Sequence, residues 1–410
     1  MNKLVTMKTK YLNIIFLLFF LQFFSQTPVS LETAYEKAVE NNLNIKSGRL
    51  KIEYQNKIKI SAAIIDPLVI SGEIGQLNSA YVDNAISVNQ TLKLPKFYKS
   101  QNQVLAEESK NALLNLDVQK WNLKHHLALI YNNLNYLDEK QKLLQKTDSI
   151  YSGYYRRADL RLRAGETNIL EKTTAENYRS KAEIELQNLK KDREVALSQF
   201  NFLINDSEIF TNQKGNFYNS ELIENADYDG NTTILKPYEQ QKIIENAKLN
   251  AEKTKLLPSF NIGITTSTQY GFGADEKFYD RGKRFQSGMI GIGLPVFNNA
   301  QKSVIEGQKI NQQMAENNYD LAVKNLKNQY ATAFGEYQKL KSELDYYETK
   351  GLKNAETILF TANLLLKEGE IDYLEYTMLV NQSFEIQNRY IDAQKLFNEK
   401  LIELKALKGE

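Results

Sequence analysis

Residues 290–297 read Ile290-Gly291-Ile292-Gly293-Leu294-Pro295-Val296-Phe297. Ile290, Ile292, Leu294 and Val296 share one parity, opposite Ser287, Gly291 and Gly293. Alternation with a period of two marks a strand with one apolar and one polar face. The Leu-Pro-x-Phe ending of this strand recurs as Leu94-Pro95-Lys96-Phe97, at an offset of 200. A very long helical pattern follows each copy, and this order, once recognised twice, organises the rest of the chain.

Two more matches fall in the same order. Leu162-Arg163-Ala164-Gly165-Glu166, with Leu170-Glu171, matches Leu366-Lys367-Glu368-Gly369-Glu370, with Leu374-Glu375, at an offset of 204. Pro67 ahead of Ile74-Gly75 matches Pro258 ahead of Ile262-Gly263. Ordered anchors with small drift indicate a duplicated unit. The first repeat spans 26–205 with its strand pair in 66–92, and the second spans 235–410 with its strand pair in 258–296. The polar stretch 206–234 holds little apolar periodicity and reads as the connection between them.

Each repeat reads as a shorter helix, two strands, a very long helix, a glycine turn and a shorter return helix. In the first, the long helix covers 96–163, where Leu116, Leu123, Ile130, Leu137 and Leu144 recur every seven residues and Leu113, Leu127 and Leu134 fill positions between them. Sustained heptads specify helices that wind around neighbours. At ~1.5 Å per residue this helix reaches roughly 100 Å, and the shorter helices 30–63 and 166–203 together reach roughly 110 Å. The second repeat matches, with 298–368 long and 236–257 and 370–407 shorter. Matched antiparallel helices of this kind suit a wall of uniform height.

The strands carry the membrane signal. In the first pair, Val82, Ile86, Val88 and Leu92 oppose Asp83, Ser87, Asn89 and Thr91. In the second, Phe260, Ile262, Ile264, Tyr270 and Phe272 oppose Asn261, Gly263, Thr265, Ser267 and Gln269. A barrel strand crosses a bilayer in about 9–11 residues, and Tyr81, Phe97, Tyr98, Phe260, Phe272, Phe285 and Phe297 sit near the strand ends, as interfacial girdles do. Four strands are too few to close around water, so a membrane reading requires several chains to pool their strands.

Composition removes most other functions. The 410 residues contain no cysteine, which excludes disulfides, thiolate metal sites and a lipidated N-terminal cysteine. Lys3, Lys8 and Lys10 precede the apolar run 12–24, so 1–25 reads as a secretory signal with its cut near Ser25. Its removal takes the formal charge from +2 to −1, which gives no electrostatic case for nucleic acid. No catalytic constellation, cofactor motif or metal-ligand spacing is present. The two histidines, His125 and His126, are adjacent on the long helix and point about 100° apart, unlike an i, i+4 ligand pair. Arg156, Arg157, Arg161 and Arg163 form a basic cluster ahead of the first glycine turn, suited to a partner's acids or to a solvated face.

The duplicated plan, with its Leu-Pro-x-Phe strand exits and Gly-Glu helix turns, resembles the TolC-like outer-membrane efflux family over nearly the whole mature chain. The resemblance implies a mainly α fold with a small membrane β part. Three chains would share a coiled-coil tunnel of long helices and a twelve-stranded outer-membrane β-barrel. It implies a homotrimeric exit duct of a tripartite efflux or type I secretion-like system, set in outer-membrane lipid with a large periplasmic part. The partners would be a periplasmic adaptor and an inner-membrane transporter, which supplies the energy. In the family an acidic pair three residues apart in the second turn narrows the closed end. The matching residues are Asp372 and Glu375 after Gly369, with Asn168 and Glu171 at the equivalent places after Gly165. Residues three apart share a helix face, and acids in a first helical turn are also favoured by the helix dipole alone. Gly165, Gly369, Leu162, Leu366 and Lys367 would form the turns and the adaptor-contact surface. The other readings are a periplasmic coiled-coil adaptor or tether, which leaves the amphipathic strand pairs unexplained, and an envelope enzyme, which lacks an active site.

Overall fold

The structure is a computed structural model that describes residues 27–214, 228 and 232–409. The expected secretory signal, 1–25, and much of the expected connection, 215–227 and 229–231, lie outside the described residues. In chain order, β1 (Thr27–Val29) leads into α1 (Leu31–Asn41) and α2 (Leu43–Ile58), which ends in a 3-10 turn, Lys59–Ala63. Then come β2 (Val69–Gly75), β3 (Asp83–Lys93), α3 (Pro95–Arg163), α4 (Ile169–Ile204) and β4 (Phe210–Asn212). The second half runs α5 (Lys236–Thr254), β5 (Ser259–Thr268), β6 (Gly271–Phe272), β7 (Phe278–Tyr279), β8 (Arg284–Gly293) and α6 (Asn299–Tyr346). A π-helical turn, Tyr347–Gly351, joins α6 to α7 (Leu352–Glu368), and α8 (Tyr373–Lys408) returns.

Two details differ from the sequence expectation, and a third locates the drift between the repeats. The helix expected over 30–63 is broken at Asn42, whose backbone is extended at ψ 131°. Its side chain spans the break, accepting from the Asn44 N–H at 2.9 Å and donating to the Leu203 carbonyl at 2.9 Å. The helix expected over 298–368 contains the π turn, a common site of an inserted residue. The drift between repeat offsets also has a location. β3 passes to α3 across one residue, Leu94, whereas residues 294–298 separate β8 from α6.

The chain forms two compact units, and each draws on both repeats because α3 and α6 are divided between them. The unit of 47–118 and 233–324 holds a four-stranded antiparallel sheet in the order β2-β3-β5-β8. Its register pairs Ile70 with Val88 and Val88 with Ile264, and Gln90 with Ile262 and Ile262 with Ile290. Even-numbered residues of all four strands therefore share one face and odd-numbered residues the other. Helix packing beside the sheet buries Ile244, Ala247 and Ala251 of α5 and Ala112 and Leu116 of α3. Gln240 Nε2 donates to Glu107 Oε2 at 2.8 Å, and Gln301 Nε2 donates to Glu252 Oε2 at 2.8 Å.

The unit of the described residues in 27–46, 119–232 and 325–409 is held by helix seams. Leu123, Leu127, Leu134 and Leu137 of α3 are buried, as the heptads specify. Beyond them the buried seam continues through Leu143, Tyr151, Tyr154 and Ala158, so Leu143 takes the inward place expected of Leu144. The large rings are stacked: Tyr154 on Tyr373 at 5.4 Å, Tyr151 on Tyr178 at 5.1 Å and Tyr337 on Phe397 at 5.1 Å. Burying side chains of this size contributes on the order of 1.5–3 kcal/mol each. A parallel ribbon of β1 and β4 lies on the helices. Tyr131 Oη donates to the Val29 carbonyl and accepts from the Gln213 N–H, both at 3.2 Å. Asn212 Nδ2 donates to Asn135 and Asp138 at 2.8 Å, and Arg193 donates to Asp138 at 3.0 Å.

Candidate functional site

Two features lend themselves to function, a pair of helix turns in one unit and the sheet in the other. The turns are built alike. After α3, Gly165 has φ 75°, and the Glu166 N–H donates to the Arg161 carbonyl at 2.9 Å. After α7, Gly369 has φ 77°, and the Glu370 N–H donates to the Leu365 carbonyl at 2.9 Å. Both are glycine-terminated helix ends in which the left-handed residue lets the chain reverse and satisfy the last carbonyls. Leu162 and Leu366 are half-buried beside these ends, and Lys367 is exposed.

The return helices start alike too. Asn168 Oδ1 accepts from the Glu171 N–H at 3.2 Å, and Asp372 Oδ1 accepts from the Glu375 N–H at 2.8 Å. Asn168 and Asp372 are therefore N-caps, and Glu171 and Glu375 are the third residues of their helices. The spacing of three that marked these residues is thus the spacing of a helix cap and its N–H donor.

What surrounds the caps differs. Glu171 is 8% exposed and receives Arg161 Nη1 at 3.0 Å, together with the Thr167 hydroxyl. Asp159 pairs with Lys172 and Arg163, both at 2.8 Å, and the Lys172 ammonium, ahead of Arg163, holds the Asp159 carboxyl below its ordinary range. At the equivalent places 204 residues on stand Leu365 for Arg161, Asn363 for Asp159 and Tyr376 for Lys172. The second turn is closed instead by a neutral bond, Tyr376 Oη to Asn363 Oδ1 at 2.9 Å. Asp372 and Glu375 are both exposed, and neither enters an ion pair among the described residues. One turn spends its carboxylates internally while the other presents two. The duplication hides this asymmetry in the sequence, because the deciding residues, Arg161 and Leu365, lie ten positions before the glutamates they do or do not meet.

Arginines of the first turn also reach the second. The guanidinium of Arg161 lies 4.8 Å, and that of Arg157 5.9 Å, from the Tyr373 ring centroid. Of the basic cluster, Arg161 and Arg163 are paired with acids, Arg157 faces an aromatic ring and Arg156 is exposed. His125 is stacked on Trp121 at 5.9 Å, with Trp121 Nε1 donating to the Ala406 carbonyl at 2.9 Å. No group of residues suited to a metal ion occurs among those described.

On the sheet, the even face carries Ile70, Ile86, Val88, Phe260, Ile262, Ile264, Ile290 and Ile292, all partly or largely open to solvent in the single chain. Ile264 is 64% exposed and Ile290 84%. The odd face carries Ser71, Glu73, Ser87, Asn89, Thr91, Asn261 and Thr265. The hydroxyls of Ser87 and Thr265 are 2.9 Å apart, and Thr91 Oγ1 donates to Asn261 Oδ1 at 2.7 Å. A sheet so divided can separate hydrocarbon from water. β2 and β8 are its edges, with no further strand among the described residues paired to either. Among the described residues no helix is long and apolar enough to cross a membrane.

Residues 241–410 match the family described as outer membrane efflux protein. No curated protein matched the chain in sequence. Solved structures with a similar fold include a membrane protein from Pseudomonas aeruginosa, at TM-score 0.77 and 16% identity over 94% of this chain and 91% of that one. The CmeC outer membrane channel of Campylobacter jejuni is similar at TM-score 0.77 and 14% identity, over 92% and 85%. The open state of the MtrE outer membrane channel of Neisseria gonorrhoeae is similar at TM-score 0.73 and 19% identity, over 92% and 89%. At these identities the likeness is one of fold.

Proposed function

We propose that this chain, whose residues 241–410 match the outer membrane efflux protein family and whose fold is like that of solved outer membrane channels, is the outer-membrane exit duct of an efflux system. The observation that carries this is the sheet. It has one apolar face, one polar face and two open edges, and in lipid an edge with unpaired N–H and C=O groups is not tolerated. Closure with copies of the same chain satisfies both edges, and four strands from each of three chains make a twelve-stranded barrel. The even face then meets hydrocarbon and the odd face lines water. The duct is passive. The energy comes from an inner-membrane transporter, reached through a periplasmic adaptor that meets the two helix turns around Leu162, Gly165, Leu366, Lys367 and Gly369.

In the same reading Asp372 and Glu375 line the narrow end of the tunnel, repeated by the three chains into a ring of carboxylates that favours cations. Their exposure and lack of ion pairs support this role. Asn168 and Glu171 occupy the equivalent turn, but the charge of Glu171 is balanced by Arg161.

The test is the native mass of protein extracted from the outer-membrane fraction in mild detergent. A trimer is expected. A monomer that stays soluble without detergent would sink the reading and favour a periplasmic coiled-coil adaptor or tether.

A further inference from the structure

The even face of the sheet is not apolar along its whole height. The chain joins its helices at one end of the sheet, where β3 and β8 finish at Lys93 and Gly293 and β5 begins at Ser259; the turns 76–82 and 269–283 close the other end. Along β8 from the helix end, the even positions run Ile292, Ile290, Gly288, Gln286 and Arg284. The neighbouring even positions of β5 run Phe260, Ile262, Ile264, Thr266 and Thr268, in register with them. Hydrocarbon side chains therefore give way to polar ones at the turn end, and the last position is an arginine.

Arg284 lies along this face. Its Nε donates to Thr266 Oγ1 at 3.0 Å, its Nη2 to the Thr266 carbonyl at 3.0 Å, and its Nη1 to Asn84 Oδ1 at 2.9 Å. Thr266 and Asn84 are even-numbered residues of β5 and β3, so the guanidinium is held flat against the outward face. All three acceptors are neutral. Arg281 and Lys283 precede it in the turn, and all three basic residues are exposed. Arg281 is stacked over Tyr270 at 5.2 Å. Among the described residues no carboxylate forms an ion pair with any of the three. The nearest acid in sequence, Asp280, accepts from the Gly282 and Lys283 N–H groups, and Asp275 is engaged by Tyr279 and Lys277. Tyr81, Tyr270, Phe272 and Phe278 form a chain of edge-to-face rings beside the cluster, with centroids 5.1–5.5 Å apart.

We infer that Arg281, Lys283 and Arg284 bind the phosphate groups of the anionic glycolipid in the outer leaflet of the outer membrane. This rests on the barrel reading, since it needs the even face to meet lipid. Three features select this occupant. Arg284 stands on the same face as the apolar residues, beyond Gly288 and Gln286, so acyl chains can lie on Ile264 and Ile290 while the head group extends toward the cations. It stands at the end of the sheet away from the helices, which in a barrel opens to the outside. Its three cations form no ion pair with a carboxylate among the described residues, and a preoriented guanidinium donates readily to phosphate.

The experiment uses the detergent-extracted trimer and counts retained lipopolysaccharide by native mass spectrometry. It compares the natural chain with the combined Arg281→Gln, Lys283→Gln and Arg284→Gln variant. Bound glycolipid is expected to fall at least tenfold, and added lipopolysaccharide should raise the thermal midpoint of the natural trimer but not of the variant. The same concentration of phosphatidylglycerol or inorganic phosphate should give no comparable shift. Equal retention by both trimers overturns the inference, as does an equal response to phosphatidylglycerol or phosphate. Arg284→Lys, which keeps the charge, should retain part of the binding; if it behaves as the glutamine variant, the loss is structural and the inference falls. A chain absent from the outer membrane overturns the barrel reading itself, a result separable from a trimer that is present but indifferent to glycolipid.

Discussion

The Arg161 guanidinium receives two partners at once, the Glu171 carboxylate at 3.0 Å and, from the other turn, the Tyr373 ring at 4.8 Å. Tyr373 follows directly after Asp372. A single arginine therefore neutralises one turn and packs against the start of the helix that displays the free acids of the other.

Loss of that arginine should be felt at Glu171, whose carboxylate would stay buried with only the Thr167 hydroxyl beside it. In a double-mutant cycle of Arg161→Met and Glu171→Gln, the pair should show a coupling of about 1–3 kcal/mol. Thermal unfolding followed by helical circular dichroism reads it. Additive effects would mean that the two side chains do not meet in the assembled protein.

Asp372 caps its helix and, in the proposed duct, also lines the constriction; the two roles can be tested apart. Replacement by alanine removes a cap and should cost about 1 kcal/mol, whereas asparagine caps equally well. The Asp372→Asn, Glu375→Gln double variant should therefore keep the natural melting midpoint yet reduce cation selectivity and alter conductance in planar bilayers. An unchanged reversal potential would remove both residues from the constriction.

Glycines of the chain should divide by backbone angle. Gly165 and Gly369, at φ 75° and 77°, have open space around them, so alanine there meets only the left-handed strain of about 1–2 kcal/mol. Gly307 and Gly335 lie inside α6, also with nothing near a Cβ, and alanine there should stabilise by about 0.4–1 kcal/mol. If Gly335→Ala instead destabilises the assembled protein, that helix face is covered by a second chain.

Stability should fall on mild acidification because of His125. Burial, followed by the charge of His126, lowers its pKa from the ordinary 6.5, with Glu403 acting the other way. The folded ring then binds its proton less readily than the unfolded one. Its contribution is intact above about pH 6.5 and is lost as pH drops through the window below that value. His125→Phe should flatten the dependence of the melting midpoint between pH 5 and 7, on the order of the window set by histidine titration. A slope equal to that of the natural chain would place the titrating group elsewhere.

Strand alternation and heptads were enough to read the fold, because both report which face of an element is apolar, and that is a property of spacing. Short or compensated features escaped. β1 and β4 have three residues each, too few for a period, and are held by Tyr131, Asn135, Asp138 and Arg193, which come from distant helices. The π turn at Tyr347–Gly351 leaves the composition of its helix unchanged. Within the turn residues, the family resemblance pointed to Asp372 and Glu375 but did not show how their surroundings differ from those of Asn168 and Glu171, since a partner across a glycine turn has no fixed periodicity. The small hairpin of β6 and β7 inside the long turn 269–283 was likewise masked by its glycines and charges.

The two bare edges of the sheet also govern how the duct can be made. One chain exposes a β2 edge and a β8 edge; in the proposed three-chain barrel, two chains joined side by side would still expose one of each, and only the third would remove both. Partial assemblies of that barrel would gain nothing at their rims in lipid, so its insertion would wait for ring closure. A subunit whose β8 cannot pair would trap its two sound neighbours in an unclosed ring, so in a cell carrying both versions a minority of faulty copies would silence a majority of the ducts.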